Sequence, residues 1–169
     1  MTLVSNGVSI INSGIEHACI WNMNTAFEGS AAPIASNWSA TWSTDVNDPN
    51  SIGSSSVTQS SGIFTFGSTG VWEVSFTISA SDNGSVDLDC FGEIHRTENN
   101  SSYAATARID VGLAATNLYI GSTARILIDV TDTSNDKLRF HASGFNTADC
   151  YGHDDYLHTY AIFKRLGAT

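Results

Sequence analysis

The sequence predicts an all-β domain, an antiparallel arrangement of eight to ten short strands, on three observations. First, Trp72, Val74, Phe76 and Ile78 alternate with Glu73, Ser75 and Thr77, the period of two expected of a half-buried strand. Second, Gly, Asn, Asp and Ser cluster between such segments at fairly even spacing, as in chains of many strands joined by turns. Third, Ser, Thr, Asn and Gly are abundant and windows rich in helix formers are nearly absent, a balance that favours strands over helices.

The elements follow in chain order. Residues 1–14 are small and polar apart from Val8, Ile10 and Ile11, and are read as an N-terminal arm or attachment segment. Residues 15–169 form a single domain. Its first strand is expected over 15–25, around Ala18, Ile20 and Trp21, and its second over 37–43, where Trp38, Ala40 and Trp42 alternate with polar residues. Residues 45–56 read as a polar surface loop, and 57–59 as a short strand. Two strands around a tight turn follow, Ile63-Phe64-Thr65-Phe66 and Val71 to Ile78, with Gly67 and Gly70 supplying positive φ. Asn83-Gly84 signals another hairpin. The strand after it, 86–96, is expected to turn Val86, Leu88, Cys90 and Ile94 to one side. A strand over 103–111 and a loop over 112–121 come next. Strand 123–130 points Ile126, Ile128 and Val130 inward, and 137–143 alternates Leu138, Phe140 and Ala142 with Arg139 and His141. A long polar loop, 144–155, leads into a last strand, 156–166. That strand buries either Tyr160 and Ile162, or Leu157, Ala161 and Phe163. The succession indicates a sandwich or jelly roll rather than a parallel sheet, and no repeat or linker divides it.

Composition narrows the function. The chain has 169 residues and 41% hydrophobic residues, long enough for a real core. A formal charge of −10, from 17 acidic and 7 basic residues, repels phosphates and argues against nucleic-acid binding. No window has the apolar length of a membrane span, and residues 1–15 lack the basic start and apolar run of a secretory signal. Of the three cysteines, Cys90 reads as an inert core thiol, and a disulfide from it to Cys19 or Cys150 stays open.

The chemistry-bearing stretches are weak. Between Asp149 and His158, two histidines and three carboxylates suggest a metal, but on a strand His153 and His158 point to opposite faces. Asp82, Asp87 and Asp89 beside Asn83 offer oxygens without EF-hand spacing. Residues 131–136 are better explained as a turn held by Asx-type side-chain bonds. There is no Gly-x-Ser-x-Gly elbow and no phosphate-cradling glycine loop before a helix. No enzymatic activity, no metal and no cofactor are expected. Recognition is expected instead in the loops 45–56, 112–121 and 145–156, where Tyr119, Phe145 and Tyr151, with His153 beside them, are candidates to stack on sugar rings.

The order of three blocks resembles a known family. Gly62-Ile63-Phe64-Thr65-Phe66, a turn with Gly70, then Val71-Trp72-Glu73-Val74-Ser75-Phe76 looks like the core hairpin of the globular heads of the first complement component. Those heads belong to the tumour-necrosis-factor-like jelly rolls. Ala124 to Val130, a polar turn with Asp136, and Lys137-Leu138-Arg139-Phe140 resembles that family's penultimate hairpin. Tyr160-Ala161-Ile162-Phe163 resembles its closing strand, with Ala161 where the family often has Gly. The family's calcium ligands have no counterparts here, and the N-terminal segment is not collagen-like.

The resemblance implies a compact homotrimer in which the first, last, central-hairpin and Ile126-bearing strands share a sheet near a three-fold axis. Arg125 and Leu127 would then approach the axis. The same module recurs as knobs on viral fibres and capsids. With no signal sequence expected, a short arm and sparse cysteines, the reading is a phage-type virion protein, a fibre tip or capsid decoration. Its arm would dock on other virion proteins and its loops would meet a host-surface glycan or receptor. The alternative is a free, secreted or extracellular lectin-like or ligand-like module.

Overall fold

The computed structural model describes residues 3–5, 8–10, 15, 17–41, 50–53, 57–84 and 86–169. Ile11, the Trp42-Ser43 end of the second predicted strand and most of the 45–56 loop lie outside the described residues. The chain folds into two antiparallel sheets with no helix among the described residues. Among the described residues, strands β1 (Leu3–Ser5) and β2 (Val8–Ile10) pair only with each other.

The larger sheet is centred on β9 (Gly70–Ser81). On one side it pairs along its whole length with β12 (Tyr119–Val130). On the other it pairs with β15 (Tyr160–Gly167) and, beyond that strand's end, with β14 (Asp149–Cys150). Strand β3 (His17–Met23) lies outside β15, and β4 (Phe27–Glu28) outside β14. β5 (Trp38–Ser39) and β6 (Ser51–Ile52) pair with the far edge of β3. The smaller sheet runs β11 (Ala104–Asp110), β10 (Phe91–Thr97), β13 (Lys137–Ser143), β8 (Ile63–Thr65), β7 (Thr58–Ser60). Of the strands expected to share a sheet, β3, β9, β12 and β15 do share one, whereas β8, the first strand of the expected central hairpin, lies in the smaller sheet.

The two predicted hairpins at Gly67–Gly70 and Asn83-Gly84 are not hairpins. β8 and β9 belong to different sheets, as do β9 and β10, and as do β12 and β13. These turns carry the chain across the sandwich. The tight hairpin is the one between β7 and β8. There Ser61 and Gly62 both take positive φ, 51° and 80°, the two-residue turn whose twist suits adjacent strands. A Cβ at Gly62 would sit 2.6 Å from the Ile34 carbonyl, so the position excludes larger residues.

The core fills the space between the sheets. Trp72, Val74, Phe76 and Ile78 are fully buried, as their alternation required. Phe76 of β9 stacks on Phe140 of β13 at 4.4 Å, and Phe64 of β8 stacks on Phe163 of β15 at 5.5 Å. Each ring therefore joins the two layers, and each such burial is worth about 1.5–3 kcal/mol. Ala161 and Phe163 are the inward pair of β15. Cys19, Cys90 and Cys150 are all buried and free, so neither disulfide left open by the sequence forms.

Two corrections concern residues 86–90. Val86 and Leu88 are exposed, and the strand begins only at Phe91. Cys90 is buried as expected, but the other inward residue of this segment is Asp87, which is buried in place of Val86 and Leu88. Its carboxylate accepts backbone N–H bonds from Asn146, Thr147 and Ala148 at 2.7–2.9 Å. Burial alone would raise its pKa, but those bonds and the Asn146 amide outweigh burial and hold it at about 2.

Candidate functional site

The outer face of the larger sheet follows from its register. Ser75, Thr77, Ser79 and Ser81 of β9 alternate with the core residues and face away from the smaller sheet. Beside them on β12 stand Arg125, Thr123, Gly121 and Tyr119. Beside them on β15 stand Ile162, opposite Ser75, and Tyr160, opposite Thr77. These β9 side chains are small, and their larger neighbours already shield them, so all four are buried within the single chain. The Thr77 and Thr123 hydroxyls bond each other at 2.7 Å across the strands.

Charge stands towards the two ends of this face, with Asp149 of β14 and Glu28 of β4 in register with Ser81 at one and Glu73 with its partners at the other. Glu73 lies 3.3 Å from Lys164 and 3.9 Å from Arg125, and the Arg125 Nε donates to Ser75 Oγ at 3.2 Å. Leu127, paired with Glu73, is 67% exposed. Arg125 and Leu127 thus lie where the sequence placed them, on the outward side of β12. The face continues as an apolar groove lined by Ala18, Ile20, Ile52, Ile162 and Lys164.

At the opposite end the segment 151–159 bends over the sheet. The Met23 N–H donates to the Thr159 carbonyl at 2.9 Å, and the His153 N–H to the Met23 carbonyl at 3.0 Å. Ser79 Oγ donates to the His158 carbonyl, and the Thr159 hydroxyl accepts from the Ser79 N–H. Asn22 Nδ2 donates to the His153 carbonyl at 2.7 Å. A Cβ at Gly152 would fall 2.5 Å from the Met23 carbonyl, so only glycine lets this loop lie so close.

The bend gathers five rings into one patch. Tyr119 meets Tyr151 at 5.2 Å, Tyr151 meets His158 at 4.6 Å, and His153 meets Tyr156 at 5.2 Å, with His153 and His158 6.4 Å apart. Tyr119 and Tyr156 are well exposed, while Tyr151, His153 and His158 are half-buried. Burial and the neighbouring His153 both lower the His158 pKa, so the His158 imidazole is neutral near neutral pH.

Three of the four predicted binding residues, Tyr119, Tyr151 and His153, therefore come together. Phe145 does not. It is 2% exposed in the core, its backbone tied to Ser30, and cannot stack on a ligand. Tyr156 and His158 were missed because 156–166 was read as one strand. The strand begins at Tyr160, and the preceding bend also overturns the opposite-face placement of His153 and His158.

The fold is similar to that of solved structures. Murine APRIL at pH 5.0 superposes with a TM-score of 0.63 at 11% identity, over 88% of this chain and 98% of that one. Eiger TNF from S. frugiperda gives 0.58 at 17% identity, over 90% and 93%. The fold is a tumour-necrosis-factor-like jelly roll. The PRD1 vertex protein P5 also matches, at a TM-score of 0.47 and 19% identity, over 89% of this chain and 95% of that one. No protein-family model and no curated protein sequence matches the chain.

The jelly roll uses its other acidic clusters for its own turns. Asp82 accepts from the Gly84 and Asn117 N–H groups at 2.7 and 2.6 Å. Asp136 accepts from those of Thr131 and Asp132, and Asp132 from that of Ser134. The Asp132–Ser134 bond is the Asx type that the sequence suggested for residues 131–136. At His153, Nδ1 accepts the Asp155 N–H at 3.0 Å, so the acidic end of this loop is also accounted for by a turn. The three thiols are poor nucleophiles. Burial raises all three, Cys90 to about 11 and Cys150 to about 12.

Proposed function

We propose that this chain is a non-enzymatic homotrimeric module that presents its aromatic patch to a cell-surface glycan or receptor. The observation that carries the reading is the outer face of the larger sheet. Its centre is built of Ser, Thr and Gly, with Leu127 and Ile162 beside them and charge towards its two ends. Small side chains let another backbone approach closely, and a sheet face of this kind outside the sandwich is where a subunit contact arises. A closed three-fold assembly would repeat the patch around one axis and multiply weak contacts.

The proposed setting is a virion, as a fibre tip or capsid decoration. Two features support it. Among the described residues the β1–β2 pair joins neither of the two larger sheets, which suits a docking segment. The three cysteines are free, whereas small secreted domains are usually disulfide-dense. The second reading, a free lectin-like module outside the cell, rests on the patch alone, because exposed tyrosines can stack on sugars whatever carries them.

A glycan array with the full chain and with Tyr119→Ala tests the binding. Specific hits that weaken by roughly tenfold in the variant, about one aromatic contact, support it. Hits unaffected by Tyr119→Ala and Tyr156→Ala contradict the patch. Detection of the chain in purified particles separates the two settings.

A further inference from the structure

The smaller sheet carries a second cluster, on its outer face and away from the proposed subunit contact. Glu93 of β10 lies directly opposite His141 of β13 in the antiparallel register. His95 is two residues on from Glu93, so all three side chains rise from the same face. His95 Nε2 lies 3.1 Å from Glu93 Oε2, and the two imidazoles stack 3.8 Å apart with an 18° tilt. One candidate ligand atom from each residue lies within 4.8 Å of the other two.

This cluster differs from the acidic turns in its unmet bonding. His141 is 7% exposed, yet its Nε2 is enclosed and has no hydrogen-bond partner. His95 Nδ1 is also enclosed and unpartnered. Enclosed polar atoms ordinarily find partners, and an unpartnered one calls for a specific explanation. Arg139 does not supply it. Its guanidinium lies over the Tyr103 ring at 4.2 Å.

We infer that Glu93, His95 and His141 form a binding site for one divalent transition-metal ion of the zinc class. Two imidazoles and one carboxylate are a nitrogen-rich donor set that suits Zn²⁺ over Ca²⁺ or Mg²⁺. The ligand atoms of a tetrahedral zinc site lie roughly 3.3 Å apart. The present atoms, within 4.8 Å of one another, would close to that value around the ion, and the broad χ2 of an imidazole permits the ring to turn. Metal binding requires a neutral imidazole. Burial, with His95 and Arg139, lowers the His141 pKa to about 4, while Glu93 opposes the shift. The Glu93 carboxylate offsets the Arg139 charge beside the ion. The fourth position is left to water or an outside ligand.

The test is titration of the untagged full chain with ZnCl₂ by calorimetry, with metal content measured after dialysis. One Zn²⁺ per chain is expected, retained in His153→Ala and lost in His141→Ala. Glu93→Gln keeps the fold and weakens binding by at least about tenfold, since even partners beyond the ligand shell cost 10–100-fold. It stands in if His141→Ala fails to fold. No uptake by the wild type at several-fold molar excess overturns the site. So does uptake that Glu93→Gln leaves unchanged or that His153→Ala abolishes.

Discussion

The two sheets turn the same kind of face inward and opposite kinds outward. Inside, the larger sheet presents Trp72, Val74, Phe76 and Ile78 and the smaller presents Phe64, Ile94, Leu138 and Phe140, all fully buried. Outside, the smaller sheet presents Glu93, His95, Arg108, Arg139 and His141, long or ionisable side chains in pairs and stacks. The larger sheet presents a strip of Ser and Thr with Leu127, Ile162 and Tyr119 around it. A face meant for water gains from charge, whereas a face meant for another subunit gains from small, uncharged side chains that permit contact without desolvating ions. The alternation that tells inside from outside is the same in both sheets. What distinguishes the two outsides is which residues fill the outward positions.

Reversing the character of one face at a time breaks this comparison. Leu127→Asp places three acids together at the proposed axis, beside Glu73. It should weaken assembly by about 3 kcal/mol or more, roughly 100-fold. Thr106→Asp, on β11 of the smaller sheet, should leave the assembled mass unchanged. Sedimentation of both variants checks this pair.

A change that touches neither outer face sets the scale for the fold. Asp87→Ala strips three backbone N–H groups of their acceptor and should destabilise the chain by about 3 kcal/mol, read by chemical denaturation. Asp87 has a pKa of about 2 in the folded chain, below the ordinary 3.8. Its contribution is therefore present above about pH 4 and lost as the pH falls towards 2.

The smallest effect separates the faces by acid. His141 titrates at about 4 when folded and at 6.5 in its ordinary state, so the unfolded chain binds its proton first. Stability is full above pH 6.5 and falls as the pH drops towards 4, by about 1–2 kcal/mol once solvent screening is allowed for. His141→Gln should flatten this part of the thermal-midpoint profile. Leu127→Asp should leave its slope intact.

Much of the fold was legible because alternation is local. Strands β9, β12 and β13 and the inward sides of Trp72 to Ile78 and of Ile128 and Val130 follow directly from period two. The turns at Gly67–Gly70 and Asn83-Gly84 were misread as hairpins because a turn's chemistry does not reveal which distant strand receives the chain. At residues 86–90 the alternation itself misled. Asp87 is inward because it satisfies backbone groups sixty residues away, a long-range demand with no local signature. The binding patch was half legible. Tyr119 and Tyr151 stood out as loop aromatics, but nothing local showed Phe145 sinking into the core. Glu93, His95 and His141 come together only through the β10–β13 register, which the sequence does not display.

The mass of the full chain in solution tests the central claim most directly. Sedimentation equilibrium at micromolar concentration should give three times 18.0 kDa. A single species at 18.0 kDa would mean that the outer face of the larger sheet meets water alone, and would contradict the account.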